Sequence, residues 1–262
     1  MDHHQLREIL DFATDAAKQA GKLTLQYFNA GARYEMKADN TPVTVADRAA
    51  EELLRKRIEA AFPTHGIVGE ELGEKPGREP ARWIVDPIDG TLSFICGVPL
   101  YSVLVGFEWQ SEMLVGVIHA PALGETVYAA RGLGCKWQRP AGEQRSAKVS
   151  DVSDLSQARL LHGEPKLFHR HGKARSFERL HGKVYAECGW CDGYAYLLIA
   201  TGRAEIMLDP IVSIWDSAAP LPVVTEAGGT FTDWSGRTTH TAGEAVATNG
   251  RLFEQMMATI RG

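Results

Sequence analysis

Residues 83 to 91 read Trp83-Ile84-Val85-Asp86-Pro87-Ile88-Asp89-Gly90-Thr91, and the predicted fold and chemistry both depend on this stretch. An apolar run leads into two carboxylates three residues apart, and Gly90 and Thr91 follow directly. This pattern predicts a buried strand that ends in a turn and opens a helix. Clustered carboxylates suit hard divalent cations, and the free N–H groups of a helix start suit phosphate oxygens. The stretch therefore predicts phosphate ester chemistry at magnesium.

Each carboxylate in this chain also has a plainer explanation, as a helix N-cap or a solvated end of an element. For Asp216 or Glu71 alone we prefer that explanation, because caps are common. It is weaker for Asp86 with Asp89. Pro87 favours an extended Asp86, and Gly90 permits a backbone conformation that other residues resist.

The composition is that of an ordinary globular protein with a sizeable core. The chain has 262 residues, 44% hydrophobic and 23% charged, which allows one large domain or two closely joined halves. The net charge of −5 lacks the basic surplus of most nucleic-acid binders. No apolar segment approaches a membrane span, and residues 1 to 5 lack the apolar core of a signal peptide. We therefore expect a cytoplasmic enzyme with no nucleic-acid or membrane partner.

Hydrophobic periodicity predicts alternating helices and strands. In the N-terminal half we expect helices at 5–28 and 43–61 and strands at 66–69, 100–107, 113–119 and 125–130. After a polar connection at 139–157 we expect strands at 158–161, 183–187, 204–208 and 246–248, a basic loop up to 179, and helices at 192–201, 215–227 and 251–260. The mixture predicts a layered α/β or α+β fold.

The four cysteines are too few for a disulfide scaffold at this length. Cys188-Gly189-Trp190-Cys191 forms a CxxC, which in redox proteins lies near the start of a βαβ unit. A structural zinc site would need two more ligands, and there is no second CxxC. We expect unreactive thiols, and a redox role is the alternative.

Four motifs together carry a resemblance to a known family. Residues 83–91 resemble the first signature of the inositol monophosphatase family of magnesium-dependent, lithium-sensitive phosphatases, and Trp215-Asp216-Ser217-Ala218-Ala219 resembles the second. Gly69-Glu70-Glu71, and Lys37-Ala38-Asp39-Asn40-Thr41-Pro42-Val43-Thr44 with Asp47, resemble two further elements. The resemblance implies an α-β-α-β-α sandwich, one phosphatase domain over residues 1–262 with halves at about 1–140 and 150–262, and a homodimer.

The resemblance also implies a role for each motif residue. Five of them would hold two or three Mg²⁺ ions: Glu70, Asp86, Asp89, Asp216 and the carbonyl of Ile88. Glu70 and Thr91, the latter supported by Asp47, would position the attacking water. The backbone N–H groups of Gly90 and Thr91 would hold the phosphate.

The C-terminal half carries the signals of substrate choice. Asp192-Gly193-Tyr194-Ala195-Tyr196 is similar to the Asp-Cys-Tyr-Ala-Tyr segment of the family's histidinol-phosphate phosphatases, although Gly193 replaces the cysteine. Residues 93–100 and 231–234 also resemble the histidinol-phosphate phosphatases of this family. Histidinol phosphate has a cationic amine and an imidazole, which carboxylates at Asp192 and Asp209 would bind better than they would an uncharged inositol ring. Asp209 stands where many relatives carry glutamate.

The same residues leave alternatives open. Asp192 could be a helix N-cap, and for Tyr194 and Tyr196 we favour core packing. The His- and Arg-rich segment from 162 to 179 could approach a phosphate, although a solvated loop is the expected state. We expect a small phosphorylated metabolite as substrate, first histidinol phosphate in histidine biosynthesis, then inositol 1-phosphate, fructose 1,6-bisphosphate or a 3′-phosphonucleotide. A sensor that lost catalysis ranks lower, since no motif residue is missing.

Overall fold

Two β-sheets alternate with helical layers in the computed structural model, which describes residues 1–31, 34–37 and 42–262. The first layer holds helices α1 (His3–Thr24) and α2 (Val45–Ala61), which contact one face of the larger sheet. Two short strands, β1 (Tyr34–Met36) and β2 (Pro42–Thr44), pair antiparallel ahead of α2.

The larger sheet has eight strands and carries the motif of residues 83–91 near its centre. Its strands are β3 (Gly66–Gly69), β4 (Gly73–Lys75), β5 (Ala81–Asp89), β6 (Ser102–Trp109), β7 (Glu112–Ala120), β8 (Glu125–Ala130), β9 (Gly134–Gln138) and β10 (Gln144–Ser146). Their order is β10-β9-β8-β7-β6-β5-β3-β4, and only β3 and β5 pair in parallel. A central strand has neighbours on both edges and is covered on both faces, which explains its unbroken apolar run.

The smaller sheet and most of the remaining helices form the C-terminal half. The strands are β11 (Arg159–His162), β12 (Ala186–Cys188), β13 (Ile206–Asp209), β14 (Thr230–Thr232) and β15 (Ala245–Thr248), in the order β12-β11-β13-β15-β14. The short helix α3 (Thr91–Ile95) follows β5 in the N-terminal half, and the helices of the C-terminal half are α4 (Pro165–Arg170), α5 (Ala174–Leu180), α6 (Asp192–Ala200), α7 (Ile214–Ala218), α8 (Pro220–Glu226) and α9 (Phe253–Arg261). Helices α6 and α8 contact both sheets, and α5 packs on α9 beyond the smaller sheet. The predicted α-β-α-β-α sandwich is confirmed.

Alternation along the strands assigns side chains to two different cores. On β6, Val103, Val105 and Phe107 pack with α1 and α2, whereas Leu104 packs with α6 and α8 between the sheets. This is the period of two expected for a strand covered on both faces. Gly116 on β7 lets the start of α8 approach closely, because a Cβ there would lie 2.2 Å from the Ala219 carbonyl oxygen.

Most predicted elements exist with shifted ends, and two predictions were wrong. The first helix ends at Thr24 rather than 28, and the second begins at Val45 because Thr44 is its N-cap. The segment predicted as a basic loop up to 179 contains helices α4 and α5. The helix predicted at 215–227 is two helices, α7 and α8, with Pro220 at the first turn of the second, where a missing N–H costs least. No helix in the described ranges combines the length and apolarity that crossing a membrane requires.

Candidate functional site

Asp86 and Asp89 lie at the end of β5, buried in the centre of the larger sheet. Their exposed fractions are 1% and 7%. Asp86 pairs with Leu104 and Asp89 with Ser102, so three steps on β5 face two on β6, and this irregularity holds Pro87. A bulge is where a sheet tolerates proline. It lets two carboxylates of one strand line the same cavity.

Asp216 brings a third carboxylate to the first two from the other half of the chain. It lies in the first turn of α7 and accepts a hydrogen bond from the backbone N–H of Ser213 at 2.7 Å. The N-cap is Ser213 rather than Asp216, so the N-cap alternative is wrong, and Asp216 is the acidic member of a capping box. Oxygen atoms of Asp86, Asp89 and Asp216 lie within 4.8 Å of one another. Capping leaves the carboxylate free to do more, because one N–H uses only part of its acceptor capacity. These three residues could hold a metal ion.

Thr91 follows Gly90, whose φ of +87° favours glycine, and begins α3. Its hydroxyl lies 3.1 Å from the Ile88 carbonyl oxygen and 3.4 Å from Asp47 Oδ1. Asp47 is fully buried and also accepts a hydrogen bond from the Thr44 backbone N–H at 2.8 Å. The structure thus places Thr91 beside Asp47, as the resemblance implies, and shows the Ile88 carbonyl as a second acceptor of the Thr91 hydroxyl.

Glu70 lines the same cavity beside Asp86, although it is not part of the three-carboxylate cluster, the three residues whose oxygen atoms all lie within 4.8 Å of one another. Its carboxylate pairs with the ammonium of Lys37 at 2.7 Å, and Lys37 also pairs with Glu71 at 2.5 Å. Residues 38–41 of the predicted motif around Lys37 lie outside the described residues.

Two groups that sequence reasoning did not assign hold Asp89 in place. Ser102 on β6 donates its hydroxyl to Asp89 Oδ2 at 3.0 Å, and the backbone N–H of Gly193 donates to the same oxygen. A Cβ on Gly193 would lie 2.5 Å from Ser102 Oγ and 2.6 Å from Asp89 Oδ2, so a glycine suits this position. Partners that orient a ligand in this way tune its affinity for metal.

Asp192 and Asp209 form another wall of this cavity, whose volume is about 320 Å³. Asp192 has a φ of +60°, unusual for a non-glycine residue, and Cys191 rather than Asp192 is the N-cap of α6. The N-cap alternative for Asp192 is therefore wrong. Tyr196 is buried in the core, as expected, and its hydroxyl also donates to Asp209 Oδ2 at 2.5 Å.

Burial makes the five aspartates that line this cavity costly to ionise, in the three-carboxylate cluster and in the wall of Asp192 and Asp209 alike. It is the main cause that raises the pKa of Asp216 to about 7, against the opposing Ser213 N–H, with Glu70 adding repulsion. Burial also raises the pKa of Asp209 to about 8, with the Tyr196 phenol opposing and Asp192 reinforcing it. The pKa values of Asp86, Asp89 and Asp192 are raised by burial as well, for the first two with repulsion from neighbouring carboxylates. A bound cation would offset the repulsion among these carboxylates and lower their pKa values.

The CxxC lies between a strand and a helix, with Cys188 ending β12 and Cys191 capping α6. Burial, followed by the nearby Asp192, raises the pKa of the Cys191 thiol. A thiol held neutral is a poor nucleophile. This favours the predicted unreactive state.

A larger cavity of about 680 Å³ lies elsewhere, beside Arg82, Glu108 and His240. Glu108 is bound there by Arg82 at 2.6 Å and by His240 at 2.8 Å. The charge of the Glu108 carboxylate is already balanced by Arg82, so this cavity offers less for chemistry than the smaller one.

Sequence reasoning missed residues that lie outside the motifs but contact the site or line the cavity. Ser102 sits in a plain strand pattern and gives no signal before the register with Asp89 is known. Glu164 and Leu167 of the α4 region line the cavity, although the sequence predicted a solvated loop there. The sequence pointed to the wall of Asp192 and Asp209 through the segment 192–196, matched as a whole, and through Asp209.

Comparison with known proteins gives one consistent family. The sequence model of the inositol monophosphatase family matches residues 5–262. The chain is 41% identical to a histidinol-phosphatase of Chlorobaculum parvum over 96% of each chain. It is 36% identical to a histidinol-phosphatase of Streptomyces coelicolor over 98% of this chain and 96% of the relative. Among solved structures, it is similar to an IMPase of Thermotoga maritima, with a TM-score of 0.86, 28% identity and 97% of each chain covered.

Proposed function

The chain belongs to the inositol monophosphatase family of phosphoric monoester hydrolases, and we propose that it is a Mg²⁺-dependent phosphatase of L-histidinol phosphate. Its products would be L-histidinol and phosphate, a step of histidine biosynthesis in the cytoplasm. The observation that carries the proposal is the pairing of two acidic regions in one cavity. A carboxylate cluster suits metal and phosphate, and the facing Asp192 and Asp209 suit a cationic remainder.

The donor set fits magnesium. Only oxygen ligands meet at Asp86, Asp89 and Asp216, and hard cations prefer oxygen. We propose that Glu70 and the Ile88 carbonyl complete the ligands for two or three ions. Bound there, Mg²⁺ would supply a water of lowered pKa and would neutralise charge on the phosphoryl group.

The chain's own residues would hold the reactants in line. The Thr91 hydroxyl lies between Asp47 and the Ile88 carbonyl. Its oxygen would accept a hydrogen bond from the attacking water and orient that water together with Glu70. The backbone N–H groups of Gly90 and Thr91 would donate to phosphate oxygens at the start of α3. Such positioning converts a bimolecular attack into a nearly unimolecular one.

The other wall would bind the cationic end of the substrate. Asp209 offers one oxygen to Tyr196 and keeps the second for a ligand, and Asp192 lies beside the Gly90 turn. A substrate cation between them would lower their pKa values and favour the ionised pair. Inositol 1-phosphate is the runner-up substrate, since two similar solved structures are inositol monophosphatases, from Thermotoga maritima and Zymomonas mobilis. Fructose 1,6-bisphosphate and 3′-phosphonucleotides follow.

The test is phosphate release with Mg²⁺ from these four substrates, compared by kcat/KM. We expect a preference of roughly a hundredfold for histidinol phosphate, about 2.7 kcal/mol in the transition state. A flat profile or an inositol preference would discard the histidinol phosphate proposal. It would leave the magnesium phosphatase proposal standing.

We further propose one folding unit and a homodimer. The core between the sheets is built from both halves, with Leu104 and Val127 of the larger sheet packed among α6, α8 and the smaller sheet. A single cooperative unfolding transition would support one domain. Light scattering should give twice the chain mass of 28.7 kDa, and a value near 28.7 kDa would reject the dimer.

A further inference from the structure

A buried carboxylate outside the cavity is tied to the turn that carries Glu70. Glu51 lies on α2, one helical turn after Asp47, and none of its surface is exposed. It does not line the cavity that holds the carboxylate cluster. A buried carboxylate needs partners, so its contacts reveal what it does.

The partners of Glu51 are backbone N–H groups of the turn between β3 and β4. Glu51 Oε2 accepts from the Glu71 N–H at 2.7 Å, and Oε1 accepts from the Leu72 N–H at 3.1 Å. Arg55 Nε donates to Oε1 at 2.7 Å, and the same guanidinium also donates to the Gly73 carbonyl. Hydrogen bonds to a charged group are the stronger kind. The turn that follows Gly69 is therefore held against α2 by hydrogen bonds from two consecutive backbone N–H groups, those of Glu71 and Leu72.

The close approach at Gly69 is independent evidence of this fastening. A Cβ on Gly69 would lie 2.1 Å from Glu51 Oε1. The strand therefore passes the carboxylate at a distance that only glycine allows. Glu70 is the next residue, so its backbone position is set directly by this contact.

We propose that Glu51 is a positioning residue. By holding the turn after Gly69, it sets where the Glu70 carboxylate lies relative to the three-carboxylate cluster. Helix α2 then controls both sides of the attacking water, through Asp47 on Thr91 and through Glu51 on the Glu70 turn. The inference rests on the proposed metal-dependent function. It adds a residue that neither touches substrate nor binds metal.

The test compares Glu51→Gln with Glu52→Gln, its exposed neighbour on the same helix. A glutamine places an N–H₂ group against at least one N–H or guanidinium donor, so the turn loses part of its anchor. The Mg²⁺ dissociation constant, measured by calorimetry, should rise about 10-fold to 100-fold, as for other groups that orient metal ligands. The Mg²⁺ concentration for half-maximal activity should rise in parallel, with kcat at saturating Mg²⁺ within about threefold of wild type. Glu52→Gln should change neither.

Gly69→Ala supplies a second route to the same perturbation, because its methyl group must displace the Glu51 carboxylate. We expect the same loss of Mg²⁺ affinity, and this variant carries the test if Glu51→Gln does not fold. Should both fail to fold, Arg55→Met removes one partner of Glu51 and should weaken Mg²⁺ binding by about threefold.

Wild-type Mg²⁺ affinity in the variants that fold would overturn the role of Glu51, as would an equal loss in Glu52→Gln. A wild-type protein that binds no Mg²⁺ would instead contradict the proposed function.

Discussion

The turn at Asp86–Thr91 and the wall formed by Asp192 and Asp209 line one cavity but are built in different ways. The turn is one continuous segment at the end of a central strand, with local hydrogen bonds such as that from the Ile88 N–H to Asp86 Oδ1 at 3.0 Å. Three residues from other elements hold its side chains: Asp47, Ser102 and Gly193. The wall joins two separate elements, the start of α6 with Asp192 and the end of β13 with Asp209, and Asp209 is held by Tyr196. The residues that match the family motif therefore share one segment, whereas the two carboxylates proposed to select the substrate lie on separate elements that can change separately.

The largest expected effect is on the turn. Asp89→Asn should lower kcat/KM at least roughly a thousandfold for every phosphomonoester, about 4 kcal/mol in the transition state. The fold should survive, and the metal-free protein should melt at a higher temperature because one repelling carboxylate is gone. Activity assays and thermal unfolding in EDTA would measure both effects.

Asp11→Asn, on the exposed face of α1, is the matched control for this variant and should change neither quantity. Near-normal turnover by Asp89→Asn would remove Asp89 from the metal assignment.

The next effect is selective and belongs to the wall. Asp192→Asn and Asp209→Asn should each lower kcat/KM for histidinol phosphate by about 10-fold to 100-fold, the size of a lost charged contact. Turnover of a small aryl phosphate should change much less, since it has no cationic end. Equal losses on both substrates would show that these residues support the site generally and do not select the substrate.

A smaller effect is expected where a residue of the larger sheet supports the turn. Ser102→Ala removes one of two donors to Asp89 Oδ2 and leaves the Gly193 N–H. Mg²⁺ affinity should fall about tenfold, with little change in kcat at saturating Mg²⁺. Calorimetry beside the exposed Ser146→Ala would separate this from a general loss of stability. Unchanged affinity would mean that the Gly193 contact alone orients Asp89.

The smallest effect is a pH dependence with opposite signs in two regions. Asp209 and Asp216 have pKa values raised to about 8 and about 7, so their ionisation destabilises the metal-free fold fully above pH 8. This cost falls as pH decreases from 8 toward their ordinary value of 3.8, so the free energy of unfolding of the metal-free protein should rise between pH 8 and 6. Denaturant unfolding in EDTA would measure it. Saturating Mg²⁺ should remove the part of the rise that comes from Asp216, and a rise of unchanged size would place Asp216 away from the metal.

Glu108 beside the larger cavity has the opposite sign. Burial alone would raise its pKa, but His240 and Arg82 lower it to about 2. Its stabilising contribution is complete above the ordinary value of 4.5 and is lost as pH falls toward 2. Stability of the metal-free protein should therefore peak between these two ranges, near pH 5.

The sequence was sufficient where contacts are local or where a motif is complete. The run before Asp86 predicted β5, and the family motifs predicted that Asp86, Asp89, Asp216, Thr91 and Asp47 meet. It was insufficient where a contact depends on register or tertiary packing. Ser102 reaches Asp89 only through the bulge, and Glu51 reaches the Glu70 turn only because Gly69 lets the strand approach.

Helices α4 and α5 were missed for a related physical reason. Their charged sequence lacks a long apolar stripe, and packing of Phe168 and Leu180 on the smaller sheet stabilises them. Tertiary burial, rather than intrinsic propensity, decides short helices of this kind.

The most direct test of the central claim is diffraction from crystals of the protein grown with Mn²⁺ and inorganic phosphate, with anomalous signal used to locate the metal. We predict peaks among Asp86, Asp89 and Asp216, with Glu70 and the Ile88 carbonyl as further ligands and phosphate against the Gly90 and Thr91 N–H groups. Crystals with no anomalous peak at this cluster, in protein that still hydrolyses histidinol phosphate, would contradict the account.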